Sequence, residues 1–206
     1  MMMTLIVSDI EPGKTAQLTD ADAAIVDAAA KGERSGRRRL IQRVLPRVEQ
    51  TVRFLAKERS DTDDLIQLAL VEVVRSIRSF KGDAALDYWV DRVTLRTSAK
   101  QFQRRRRRAE IRERYFMPPS CSMAVDEEVA LRQVRERLQT AFGKLKEKQR
   151  VPVALHFVHG YEATEIAELT GEKLNTVRGR LRRGMAKLRQ LVMLDPGLRE
   201  WIEEGE

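Results

Sequence analysis

The chain has 206 residues, enough for one ordinary domain or two small ones of about 70–100 residues each. Lys and Arg number 39 against 31 Asp and Glu, giving a formal charge of +8, and aromatics make up only 5%; a large aromatic-rich sandwich is excluded. One cysteine, Cys121, excludes a disulfide framework and any multi-cysteine zinc or iron–sulfur site, and with two histidines a metal centre would need mostly carboxylates.

The opening MMMTLIVSDIEPGK lacks a basic n-region and a long apolar core, so no secretory signal is expected there. No apolar run approaches the roughly 20 residues of a membrane span. The expected location is the cytoplasm. Residues 1–35 read as an N-terminal extension. Within it, Thr19 or Asp20 is positioned to cap an Ala-rich helix that ends near Gly32. Its six acids (Asp9, Glu11, Asp20, Asp22, Asp27 and Glu33) outnumber Lys14, Lys31 and Arg34. Shielding of basic surfaces elsewhere in the chain, or control by a partner, is one role for such a segment.

Residues 36–114 carry a helical pattern almost throughout. Leu40, Ile41, Val44, Val48, Val52 and Leu55 recur at helical spacing. Ser60, Asp61, Thr62 and Asp63 form a capping cluster, followed by Leu65, Ile66, Leu68, Ala69, Val73 and Ile77. Phe80-Lys81-Gly82-Asp83 reads as a loop. A third helix begins near Leu86, carries Trp89, Val90, Val93 and Leu95, and runs into Lys100 and the five arginines Arg104, Arg105, Arg106, Arg107 and Arg108. Eight cations and two acids occupy residues 100–114. Consecutive arginines point in all directions on a helix, which suits an electrostatic clamp on phosphates rather than base readout; an RNA-binding arginine-rich segment is the alternative.

Residues 115–127 read as a flexible linker, because Pro118 and Pro119 cannot continue a helix. Residues 128–194 resume the helical pattern with Val129, Val134, Leu138, Phe142 and Leu145. Pro152 then implies that the next helix is kinked or starts late. A short helix over 163–170, a turn at Gly171-Glu172-Lys173 and a helix from about Leu174 to Val192 have the spacing of a helix-turn-helix. At 100° per residue, Leu174, Val177, Leu181, Met185 and Leu188 share one face of the last helix. Thr176, Gly179, Arg180, Arg183 and Lys187 lie opposite, with Arg178 and Arg182 on the flanks. This face suits a DNA major groove, with side chains reaching base edges and arginines neutralising phosphates. Gly179 and Gly184 each cost about 1 kcal/mol relative to alanine inside a helix; close approach to DNA would account for both. Residues 195–206 read as a tail. The fold class is all-α: two small helical domains joined by a flexible linker, the second a helix-turn-helix.

The chain resembles the small two-domain bacterial sigma factors of the extracytoplasmic-function group (group 4). Asp63-Asp64-Leu65-Ile66-Gln67 is similar to that family's Glu-Asp-Leu-Val-Gln. Phe80-Lys81-Gly82-Asp83, followed by Tyr88-Trp89-Val90-Asp91-Arg92-Val93, is similar to its Phe-Arg-Gly-Glu and Trp-Leu-x-x-Ile. Further matches are Leu145-Lys-Glu-Lys-Gln-Arg150, Glu165-Ile166-Ala167, and Thr176-Val177-Arg178-Gly179-Arg180-Leu181-x-Arg183. The resemblance spans roughly residues 37–192 and departs at Arg96, where the family has Asn, and at Asn175 and Gly179.

The resemblance implies an alternative sigma factor that binds core RNA polymerase and directs promoter recognition, DNA melting and transcription initiation. It implies docking on the polymerase through Asp63, Asp64, Leu65 and Gln67. Minus-ten contacts would come from Lys81, Asp83, Trp89, Arg92 and Arg96, and minus-thirty-five contacts from Thr176, Arg178, Arg180, Arg183 and Lys187. It also implies an anti-sigma partner. No cofactor, no metal and no catalytic residue is expected. A stand-alone helix-turn-helix regulator would have no use for the first domain's motifs. An enzyme is disfavoured, since the chain has no Gly-rich phosphate loop, and Cys121, His156 and His159 form no nucleophile–base set.

Overall fold

A computed structural model describes residues 18–56, 62–109 and 127–203. Every element among them is helical. The first unit contains α1 (Asp20–Ala30), α2 (Arg34–Leu55), α3 (Thr62–Ser76), a 3-10 turn at Ile77–Ser79 and α4 (Leu86–Ala109). The second contains α5 (Glu127–Gly143), α6 (Glu147–His159), α7 (Ala163–Thr170), α8 (Leu174–Leu194) and α9 (Pro196–Glu203). The linker, Cys121, the leading residues of the extension, and Ser60 and Asp61 of the capping cluster lie outside the described residues.

The first core closes as the periodicity requires. Leu40, Val44, Val48 and Val52 of α2 meet Leu65, Ala69 and Val73 of α3, and Leu86, Trp89 and Val90 of α4. Thr19 caps α1, its Oγ1 accepting from the Asp22 amide at 3.1 Å. The helix of the N-terminal extension packs on the first unit. Asp22 is buried and takes Arg43 Nε and Nη2 at 3.0 and 3.1 Å, while Arg78 Nε donates to the Ala30 carbonyl at 3.0 Å. A Cβ on Gly36 would stand 2.5 Å from the Ala28 carbonyl carbon, so only glycine lets α1 and α2 cross this closely. The described part of the acidic segment therefore covers α2, not the basic faces of α4 or α8.

In the second unit Pro152 does not divide its helix: α6 runs continuously through it and begins at Glu147. Arg150 is buried and donates to the Gly143 carbonyl at the end of α5. The stretch expected to be a tail forms α9, whose Leu198 is buried. Gly184 faces α6 rather than solvent, and a Cβ there would lie 2.5 Å from Val153 Cγ2. Close helix–helix packing, not DNA approach, explains that glycine.

The two units are packed together. The second core includes Leu55, Tyr88 and Leu95 from the first unit beside Phe142, Leu155, Ile166, Val177 and Leu188. Phe54 meets Phe142 edge-on at 4.9 Å, and Tyr88 meets Tyr161 at 5.8 Å.

Candidate nucleic-acid and polymerase interfaces

The helix-turn-helix is built from local signals. Glu162 and Glu165 form a reciprocal capping box at the start of α7, with the Glu162 amide donating to Glu165 Oε2 at 2.9 Å. Gly171, at φ +68°, ends α7 in the left-handed region and lets α8 turn across it. Ile166 and Leu169 then pack with Val177 and Leu188. This arrangement exposes Thr176, Arg178, Arg183 and Lys187. Asn175 and Arg182 share the exposed surface. Arg180 differs. Its guanidinium pairs with Glu172 and is only 18% exposed, in a cleft facing α4. A Cβ on Gly179 would meet only the mobile end of Arg183, so the fold does not require that glycine.

On the first unit, Arg92, Arg96, Lys100 and Arg104 recur every four residues along α4, and all are exposed. At 1.5 Å per residue they form a cationic stripe about 18 Å long. On one side of it lies a groove of about 390 Å³ lined by Leu68, Val71, Arg75, Trp89 and the stripe itself. The side chains of Arg105, Arg106, Arg107 and Arg108 lie outside the described residues, although α4 continues through them. Lys81 and Asp83 are exposed on the loop before α4, which turns at Gly82 with φ +75°. Trp89 is a core residue, 9% exposed, packed at 5.4 Å on Phe80 with one edge reaching the groove.

The proposed docking residues separate on α3. Asp63, Asp64 and Gln67 are exposed, but Leu65 is 1% exposed and sits in the core, so it has no surface to offer a partner. The apolar side chains on the exposed face are Leu68 and Val71, at 42% and 55%. Periodicity could have found them: they follow Asp64 and Gln67 by one helical turn each.

Sequence reasoning also missed a buried polar cluster between the units. Arg47 of α2 donates to Asp91 Oδ2 of α4 through Nη2 at 2.7 Å and Nε at 3.1 Å. The Tyr161 hydroxyl donates to the same oxygen at 2.7 Å and accepts from Arg47 Nη2 at 3.0 Å. Thr51 Oγ1 lies 3.1 Å from Asp91 Oδ1 and 2.7 Å from His159 Nε2. His159 Nδ1 has no partner, so the tautomer with its proton on Nε2 satisfies the cluster. Burial pushes the Asp91 carboxyl up, but His159, Arg47 and the hydrogen bonds from Arg47 and Tyr161 outweigh it and hold Asp91 below the ordinary carboxylate range. Burial drives the His159 imidazole down to about 4, against the pull of Asp91, so it is neutral at pH 7. No group of His, Cys, Asp and Glu among the described residues could hold a metal ion.

Two family models match the chain in this order: Sigma-70 region 2 over residues 40–108 and Sigma-70 region 4 over residues 135–188. The ECF RNA polymerase sigma factor SigM of Mycobacterium tuberculosis is 25% identical over 174 residues, 84% of this chain and 85% of that one. The RNA polymerase sigma factor CnrH of Cupriavidus metallidurans is 27% identical over 188 residues, 85% of this chain and 96% of its own. The structure of CnrH in complex with the cytosolic domain of CnrY superposes with a TM-score of 0.56 at 25% identity, covering 85% of this chain and 99% of CnrH. The fold is also that of RpoE from Bartonella quintana, solved with the anti-sigma factor NepR, with a TM-score of 0.61 at 20% identity over 77% of this chain and 97% of RpoE. With both regions present in order on one all-helical chain, the protein belongs to the extracytoplasmic-function group of sigma factors, which direct transcription initiation by RNA polymerase.

Proposed function

We propose that the exposed face of α3 docks on core RNA polymerase through Asp63, Asp64 and Gln67, with Leu68 and Val71 as its apolar anchors in place of Leu65. The α4 stripe of Arg92, Arg96, Lys100 and Arg104, continuing into Arg105–Arg108, lies against minus-ten DNA. Lys81 and Asp83 contact a base extruded there, an extrusion that costs a few kcal/mol and is offset by pocket contacts. Thr176, Arg178, Arg183 and Lys187 read the minus-thirty-five element, with Arg182 on phosphate, and Arg180 joins them once it leaves the cleft. The first domain is taken to include α1, the second to run from about residue 128 through α9.

The observation that carries this reading is the pairing, in one chain, of an exposed cationic recognition helix with a second unit bearing its own cationic stripe beside an apolar groove. A single-element regulator needs only the first. The chain acts in the cytoplasm without chemistry of its own, the polymerase performing phosphoryl transfer. An anti-sigma protein is its expected inhibitory partner, as NepR is for RpoE.

Titration of the purified chain against sigma-free core polymerase, with housekeeping sigma as competitor, tests the reading. Saturable binding displaced by the competitor is expected. A folded, inhibitor-free sample that does not bind would leave the stand-alone DNA-binding regulator.

A further inference from the structure

We infer that α1 splints the loop between the 3-10 turn and α4, and that Leu18, Asp22 and Arg43 thereby set where Lys81 and Asp83 stand. The loop has little of its own to hold it. At its entry the Phe80 amide donates to the Ile77 carbonyl at 3.0 Å, and Phe80 packs on Trp89. At its exit the Trp89 amide donates to the Ala85 carbonyl at 3.2 Å. Among the described residues no backbone hydrogen bond is made between those ends. The tip turns at Gly82, with Lys81 and Asp83 exposed on either side of it. An unbonded tip keeps one conformation only where something outside it packs against it.

The N-terminal helix supplies that support at three points. Just before the loop, Arg78 Nε donates to the carbonyl of Ala30, the last residue of α1. At the tip, a Cβ on Gly82 would stand 3.6 Å from Leu18 Cδ2, so Leu18, itself packed on the first core, lies against the turn. Ala30 and Leu18 thus meet the loop's entry and its tip from opposite ends of one helix. On the far side Arg43 joins two elements. Its Nε and Nη2 fork onto Asp22 of α1, while its Nη1 donates to Asp87 Oδ1 in the first turn of α4 at 3.0 Å. Asp22 is buried, and that fork satisfies its carboxylate. A lysine at position 43 would keep the charge but present one ammonium where three nitrogens now serve two carboxylates. Leu18 and Asp22 precede residue 40, where the Sigma-70 region 2 match begins, so the loop inside the matched region is braced by chain outside it.

The splint stands on these contacts alone; its effect on base choice rests on the role proposed above for Lys81 and Asp83. Two measurements keep them apart. Backbone amide relaxation on the free full chain reads the loop: order parameters over residues 81–84 should be near about 0.85 in wild type and fall below about 0.6 in Arg43→Lys and Leu18→Ala. Holoenzyme formed with core polymerase is then bound to randomised single-stranded DNA, and the retained strands are sequenced. Asp83→Ala should flatten the preference at one position. Arg43→Lys and Leu18→Ala should weaken it there about fivefold and leave the other positions as in wild type, a pattern that general destabilisation would not give. Thermal melts establish that each variant is folded, and the wild-type loop needs no variant. A wild-type loop already below about 0.6, or folded variants that keep both order and preference, would overturn the splint. A loosened loop with unchanged preference, where Asp83→Ala does flatten it, would overturn the positioning role. Loosening in the variants with no effect of Asp83→Ala or Lys81→Ala at any position would leave the splint standing and remove the loop from promoter reading.

Discussion

The Tyr161 hydroxyl donates to Asp91 Oδ2 at 2.7 Å, joining residues 70 positions apart across the boundary between two helical units. Asp91 is fully buried and takes Arg47 on the same oxygen, so one carboxylate serves both the fold of the first unit and its contact with the second. Asp91→Asn removes the charge opposite a buried guanidinium and should destabilise the chain by about 3–5 kcal/mol. Equilibrium urea unfolding measures this directly. A loss below about 1 kcal/mol, the size typical of an exposed pair, would show that Arg47 is solvated in solution.

Stability of the folded chain should fall on acidification. His159 is driven down to about 4 by burial from an ordinary value near 6.5, so between those pH values the unfolded chain binds the extra proton. Its contribution is complete above about pH 6.5 and is lost as pH drops toward 4, a difference on the order of 3 kcal/mol. The groups facing it are Thr51 and Arg47 of α2, and Asp87 and Asp91 of α4; Asp91, held low, stays ionised through that window. His159→Gln should flatten the profile between pH 4 and 6.5. An unchanged slope in that variant would assign the acid sensitivity to other groups.

Gly184→Ala and Gly179→Ala should act in opposite directions on stability. The first forces a methyl against Val153 and should cost about 1–3 kcal/mol. The second meets only the end of Arg183 and should stabilise α8 by up to about 1 kcal/mol. Thermal melts give both signs. If Gly179→Ala is more stable yet binds upstream-element duplex more weakly, that glycine serves DNA approach.

Arg183→Ala should weaken binding to duplex carrying the minus-thirty-five element. A base contact would cost about 1–3 kcal/mol and relax preference at one position; a phosphate contact would lower affinity uniformly and reduce the salt slope by about 1. Competition assays across salt separate the two. Wild-type affinity and selectivity in Arg183→Ala would place the reading face elsewhere on α8.

Leu68→Ser combined with Val71→Ser should leave the fold intact, because both side chains are substantially exposed, and should weaken association with core polymerase at least about tenfold. Leu65→Ser should instead unfold the first unit. Calorimetric titration with core polymerase, alongside melts, distinguishes lost docking from lost structure. Undiminished docking in the double variant would move the interface off this face of α3.

The helices were legible where period and punctuation agreed. Thr19 at the start of α1, Gly171 after α7 and the apolar stripe of α8 each follow from local chemistry, and the structure has all three. Motif matching misled at Leu65, since an Asp-Leu-x-Gln string does not say which side of the helix faces the core. Trp89, expected among the minus-ten contacts, is buried by the fold with one edge reaching the groove. Gly36 and Gly184 look like flaws in their helices until a neighbouring helix stands 2.5 Å from where a Cβ would go. The cluster around Asp91 was beyond periodicity altogether, because His159 at the end of α6 and Tyr161 in the loop after it lie about 70 residues downstream. Pro152 lies inside a continuous α6: a helix can lose one donor and continue when its flanks are packed, as Val153, Ala154 and Leu155 are.

The seam between the two units gives their packing a thermal signature as well as a chemical one. Phe54, Leu55, Tyr88 and Leu95 are covered by the second unit, and separation hands these apolar side chains to water. Such exposure carries a positive heat capacity, and the attraction that opposes it weakens as temperature falls. The packing of the two units therefore strengthens up to a temperature of maximum stability and weakens again on cooling below it.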